Sequence, residues 1–261
     1  MKPLVVISKE NMASQNIKSA LLSLESFKEK KGFFFEGSDF DMAEYPGSII
    51  EIVPTHEAEY YIFASTHRSE SRTPCFTVHT PGNWGSADMG GSPNTLNAAM
   101  PARLKAAALK LKELSPGSLG WQVSVEVDHH GPTLSKPVMF VEIGSSEAEW
   151  GIPEAGKIAA QAIIAAVRNT RVWPAYVGFG GTHYAAKFGG KILDGEISFG
   201  HIISGYALEK YGCDGGRVLQ AMNKNSEKAV CALLDWKGIK GEARRELCAL
   251  LDRMEIKWEK A

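Results

Sequence analysis

Four apolar stretches of this chain each run into histidine within a few residues of their end. Residues 60–65 lead into STHRSES, which puts His67 and Arg68 just past the apolar run. Residues 75–78 lead to His79, the first residue of HTPGNWG, and residues 121–128 end on Asp128 with His129 and His130 beside it. Residues 172–179 are followed by a Gly-Gly pair and then His183. A single histidine of this kind is more often a hydrogen-bonded turn or core residue than a ligand. Four delivered in the same way argue for one site built from distant segments. In α/β sheets ligands gather outside the carboxyl ends of strands, where converging loops are held by a rigid sheet. The spacing therefore predicts imidazoles meeting in a cleft at a sheet's rim.

Histidine mixed with carboxylate is the usual ligand set for zinc or a related divalent cation. Asp128, Glu142 and Glu126 supply the carboxylates in these segments. H-E-x-x-H is absent, which excludes a helical zincin site on pattern. His129 and His130 point to opposite sides of an extended backbone unless the chain turns at Gly131-Pro132. A bound metal lowers the pKa of water to about 7 and polarises a carbonyl. Without one, a His/Asp pair can act as general base, with Arg68 or backbone amides as oxyanion donors. Both routes amount to ester or amide hydrolysis, and spacing does not choose between them.

The elements that must position these residues read as strands alternating with amphipathic helices. Strands are predicted at 3–8, 48–53, 60–65, 75–79, 121–128, 138–144 and 172–179. Helices are predicted from Ser14, as cap, to about 31, and at 96–114, 153–169, 216–236 and 242–254. No internal repeat or low-complexity linker divides the 261 residues, and 115–118 is too short a turn to be a boundary. The reading is a single α/β/α domain, 1–261, with three layers around a central mixed sheet.

With 44% hydrophobic and 23% charged residues, the chain has the composition of a folded domain with a sizeable core. The net charge of -1 gives no global basic excess, so a polyanionic partner must be met by a local patch, and DNA is not expected. Cys75, Cys213, Cys231 and Cys248 show no C-x-x-C spacing and read as free thiols of a reducing cytoplasm, Cys231 and Cys248 within helices. No apolar run approaches the roughly 20 residues of a membrane span, and the opening MKPLVVISKE is too short in apolar residues for a signal peptide. The glycine-rich segment 80–101 matches neither a Walker A loop nor G-x-G-x-x-G. Its glycines allow close backbone approach to a ligand, and the helix after it carries Arg103, Lys105, Lys110 and Lys112, which read as a solvated face.

STHRSES at 65–71, HTPGNWG at 79–85, VDHHGPT at 127–133 and GGTHYAAKF at 180–188, in this order, resemble the archaeal and plant type of D-aminoacyl-tRNA deacylase. SKENMASQNI at 8–17 fits the opening of the same family, so the resemblance covers nearly the whole chain. It implies a phosphorylase/hydrolase-like α/β/α fold and a Zn2+-dependent hydrolase that cleaves the ester between a D-amino acid and the 3' end of tRNA. On that reading His67, Asp128, His129, His130 and His183 hold metal or activate water, and Glu142 is a ligand or orients one. Arg68 and Lys187 contact the terminal phosphate or ribose, and Gly82, Gly85, Gly90 and Gly91 let the acceptor end approach the backbone. A monomer is expected. Two rival readings are a metal-dependent hydrolase of a small amide or nucleoside, and a non-catalytic tRNA- or metal-binding module.

Overall fold

Leu4–Ser8 is buried along its whole length and forms β1 in the computed structural model, which describes residues Met1–Ala261. α1 (Met12–Leu24) follows, capped by Asn11, whose Oδ1 accepts from the Ser14 amide at 2.9 Å. Ser14 is therefore not the cap; its Oγ accepts from the Ser8 amide and ties the helix to the strand end. The helix stops short of 31 because Lys28–Lys30 (β2) pairs back on Phe34–Glu36 (β3) as a hairpin. β4 (Asp41–Tyr45) then runs parallel to β1. The predicted strand at 48–53 is not formed. Ile49 and Ile52 are buried, but they lie upon a face of the sheet and not within it, a distinction that a short apolar run cannot make.

β5 (Tyr61–Thr66) and β6 (Cys75–His79) are followed by the short pair β7 (Gly82–Asn83) and β8 (Thr95–Leu96), then α2 (Pro101–Ser118), β9 (Gln122–Val125) and β10 (Val138–Gly144). The large sheet has the order β2-β3-β4-β1-β5-β10-β6-β9. β4, β1, β5 and β10 run parallel, while β6 pairs antiparallel with β10 and carries β9 alongside it. α3 (Glu147–Trp150) and α4 (Pro153–Arg168) come next, then β11 (Ala175–Phe179), α5 (Ala186–Asp194), β12 (Ser198–Ile203), α6 (Gly205–Tyr211) and α7 (Gly215–Asn223). β13 (Ala229–Leu234), α8 (Gly241–Arg253) and β14 (Trp258–Lys260) complete the chain. β12-β11-β13-β14 form a second sheet, parallel throughout.

The α/β class and the large mixed sheet with flanking helices are as expected. The second sheet is the addition. It replaces the helix predicted over 216–236, which breaks after Asn223; AVCALL is a strand, buried except at Val230, whose continuous apolar run imitates a helix, and Cys231 lies on it.

Side-chain alternation assigns the faces of the large sheet. Val5, Ile7, Ile62, Ala64, Phe76, Val78, Met139, Val141 and Ile143 pack with α1, α2 and α4 in one core. Leu4, Val6, Tyr61, Phe63, Val138 and Phe140 face the other way, beneath Ile49, Ile52 and Ala58 of the 46–58 segment. One face thus carries helices and the other only irregular cover, which leaves room on it beyond Phe140.

α2 lies between the two sheets and is pinned by a buried cation. Lys105, only 1% exposed, donates from Nζ to the carbonyls of Gly195 and Ile197 at 2.5 and 2.8 Å, so it is no part of a solvated face. Lys105→Ala strands both acceptors and removes the packed stem, and is expected to cost about 3 kcal/mol of stability. A urea midpoint unchanged from wild type would show that the carbonyls are rehydrated at no cost.

Candidate metal centre

β6 reads Cys75-Phe76-Thr77-Val78-His79, so Thr77 and His79 share the face opposite Phe76 and Val78. Glu142 shares that face of β10 with Phe140, and Glu126 follows β9 on the same side as Ser124. Thr77 donates to Glu142 Oε2 at 3.0 Å, and the His79 ring stacks on Phe140 at 5.1 Å. His67, one residue past β5, turns back over this face with Nδ1 2.8 Å from Glu126 Oε1 and 3.7 Å from Glu142 Oε2. The segment 125–128 runs beside 183–185 and 202 of the second sheet, through Val127 to His183, Ala185 to Val125 and Asp128 to Ile202 backbone bonds. That pairing brings His183 Nε2 to 3.4 Å from Glu126 Oε2, the same distance as His129 Nε2.

The imidazoles do meet, but not at a rim. β6 runs opposite to β5 and β10, so strand ends from both directions converge on the helix-free face of the sheet. His129 and His130 are both used because His130 takes a left-handed φ of 48°, which breaks the extended alternation. Their rings lie 4.3 and 4.8 Å from that of His79.

Two carboxylates buried to this depth need positive charge nearby. Burial disfavours the charged form of Glu126, but His183 and His67 outweigh it and hold the group well below the usual carboxylate range. Glu142 is lowered likewise, against its burial, by His67 and His79. Burial pulls His67 down, and the two carboxylates more than reverse this, pushing it up to about 12. His79 is raised in the same way. His129 and His130 go the other way: burial, then the charge of His79, holds His129 well below its ordinary value and His130 at about 4. Their Nδ1–H groups donate to the Val127 and Gly131 carbonyls at 2.8 and 2.6 Å, which leaves Nε2 of each ring as a lone pair.

The donor set suits a cation. Both ring nitrogens of His79 and both oxygens of Glu126 are buried without an aligned hydrogen bond; the 2.8 Å approach of His67 lies off the ring N–H direction. Three overlapping triads place their ligand atoms within 4.8 Å of one another: His79, His129 and His130; His67, Glu126 and His183; and His79, Glu126 and Glu142. His79 and Glu126 are thus more central than the sequence set allowed.

Residues 54–259 match the family model described as D-aminoacyl-tRNA deacylase. Curated proteins of that name are similar over the whole chain. The one from Thermococcus kodakarensis is 35% identical over 97% of this chain and 98% of its own. Those from Pyrococcus horikoshii and Methanosarcina barkeri are 33% and 36% identical, over 98% and 97% of this chain and 98% and 87% of theirs. The chain belongs to the D-aminoacyl-tRNA deacylase family. A solved crystal structure of a conserved protein of unknown function superposes with a TM-score of 0.90 at 31% identity, over 99% of this chain and 95% of that one.

Within this family member, His67, His129, His130, His183 and Glu142 all lie in the cluster. Asp128 does not, because it turns away to His201 of β12, with Oδ2 2.5 Å from Nδ1 and Oδ1 accepting from the Ile202 amide at 2.8 Å. Sequence reading missed His201, and also Tyr184, whose hydroxyl lies 2.7 Å from His67 Nε2. The glycines are likewise occupied from within the protein. A Cβ on Gly82 would meet Leu96, one on Gly85 would collide with the Tyr211 ring, and one on Gly90 would meet the Ile50 carbonyl. Gly91, with φ of 80°, packs on Asn83 and Gly131. The Cβ sides of these four are therefore filled from within the protein, while Gly82 and Gly85 also line a small cavity together with His129 and His130. Arg68 stacks on Trp150 at 4.8 Å, and Lys187 pairs with Asp235 at 2.8 Å.

Proposed function

We propose that this protein hydrolyses the ester joining a D-amino acid to the 3' end of tRNA, and that the cluster on the helix-free sheet face is its active site. The observation that carries this is the convergence of five imidazoles on two buried carboxylates in a member of this family. His67, His79, His129, His130, His183, Glu126 and Glu142 would hold divalent metal, with zinc favoured by the imidazole-rich set. Metal bound there would polarise the ester carbonyl and lower the pKa of water.

The protein's own groups do the rest. His67 and His79 are almost fully enclosed, whereas the side chains of His183 and His129 are 37% and 20% exposed and form the open side that substrate must approach. His129 and His130, whose Nδ1–H groups are held by backbone carbonyls, each keep an Nε2 lone pair that would be offered to the metal. Glu126 Oε2 lies 3.4 Å from the Nε2 atoms of His129 and His183, a spacing that suits a cation held among the three. Tyr184 holds the far nitrogen of His67.

The test is deacylation of paired D- and L-tyrosyl-tRNA, with and without chelator and added zinc. Release from the D-substrate, lost on chelation by more than about a hundredfold and restored by zinc, is expected. Equal release from both substrates, or full activity in chelator, would overturn the assignment.

A further inference from the structure

Two cavities flank the His67 side of the cluster, and their linings differ in kind. One, of about 460 Å³, sets Arg68 and Arg72 against Glu70 and Glu147 and contains no aromatic ring. The other, of about 540 Å³, begins at Tyr184 and the residues after His183. It presents Lys187, Lys237 and Lys240 against Glu209 and Asp235. Lys187 is neutralised by Asp235 and Lys240 by Glu209, while Lys237 is exposed and makes no ion pair. Tyr206 lines this cavity, 49% exposed and without a hydrogen bond for its hydroxyl. It also lines a smaller cavity of about 150 Å³, whose walls include His129, His130, Trp84 and Met89. The two spaces therefore adjoin at Tyr206, on the open side of the cluster.

We infer that the larger cavity is the nucleotide subsite: the unpaired Lys237, with the exposed Lys240 beside it, takes the phosphates just before the terminal adenosine of a single-stranded tRNA 3' end, and Tyr206 stacks on a base there. This rests on the proposed deacylase reading and adds a direction to it. A single strand is held by cations that follow its backbone and by aromatic faces on which bases stack. Of the two flanking cavities only this one supplies both, with a net positive lining and a free ring. Its position also fits the chemistry, because the ester is on the terminal ribose and the preceding phosphates must lie within a nucleotide or two of the metal cluster. The small cavity at His129 and His130 is then left for the aminoacyl side chain, across Tyr206 from the nucleotides.

The experiment compares D-tyrosyl-tRNA with D-tyrosyl-adenosine, which lacks the preceding phosphates, and measures binding of uncharged tRNA by anisotropy. For Lys237→Glu/Lys240→Glu the preference for tRNA over the adenosine ester is expected to fall at least about tenfold through KM, with weaker tRNA binding and a shallower salt dependence. Tyr206→Ala should lower tRNA affinity and Tyr206→Phe restore it, since stacking needs the ring and not the hydroxyl. An unchanged preference and unchanged tRNA binding in the double variant would overturn the inference, as would equal loss on both substrates. Wild-type protein that hydrolyses neither ester would instead refute the deacylase reading, and tRNA binding would still report on the cavity.

Discussion

Glu126→Gln is expected to lose more than about a hundredfold in deacylation rate and to emerge from dialysis without its metal. Glu126 is 1% exposed, and its oxygens lie 2.8 to 3.4 Å from nitrogens of His67, His129 and His183. An amide keeps the shape but presents neither the charge nor two acceptor oxygens. Thermal stability supplies the distinguishing readout. In the metal-free protein His183 and His67 hold Glu126 ionised against its burial, so neutralising it leaves the buried charge of His67 short of a partner. The metal-free variant should therefore melt below metal-free wild type, and wild type alone should gain further from added zinc. A variant that still binds zinc as wild type does, by elemental analysis after dialysis, would remove Glu126 from the centre.

Much of this centre can be read in the alternation of three strands. Thr77 and His79 between Phe76 and Val78, Ser124 and Glu126 between Val123, Val125 and Val127, and Glu142 between Val141 and Ile143 each mark a strand with one polar-bearing face. Strand ends pointed to the right segments, His79 among them, and period-2 alternation would have moved His79 and Glu126 into the ligand set and put the site on a face. The topology was the hidden part. No local pattern announces that β6 runs against β10, because pairing direction is set by residues far apart in the chain. The second sheet was hidden for a different reason. SFGHII is interrupted by Gly200, where any Cβ would collide with the Asn225 side chain, and AVCALL has no alternation. With β12 unseen, His201 had no element to sit on, and Asp128 was left to join the nearest histidines in sequence.

The misplacement of Asp128 makes the second large effect. Both ring nitrogens of His201 face oxygen, Asp128 Oδ2 at 2.5 Å and the Lys224 carbonyl at 3.0 Å, and each contact is a hydrogen bond only if the nitrogen carries a hydrogen. Asp128 also accepts from the Ile202 amide, so one carboxylate joins the edge of the large sheet to β12 immediately before His129 and His130. Asp128→Ala leaves a buried imidazole and a backbone amide without acceptors, and is expected to cost about 3 kcal/mol in urea unfolding. Asp128→Asn should cost about half of that, because its Oδ1 still serves Ile202 while its amide nitrogen cannot accept from His201. Deacylation should fall in both as the His129–His130 segment loosens, in the order Ala worse than Asn. Zinc content should stay near the wild-type value in Asp128→Asn, opposite to Glu126→Gln, since no oxygen of Asp128 belongs to the clustered ligand atoms. Loss of zinc from Asp128→Asn with its stability intact would return Asp128 to the ligand set and detach it from His201. Retained zinc with reduced stability fixes it as the joint between the two sheets, through which β12 positions histidines that it does not itself carry.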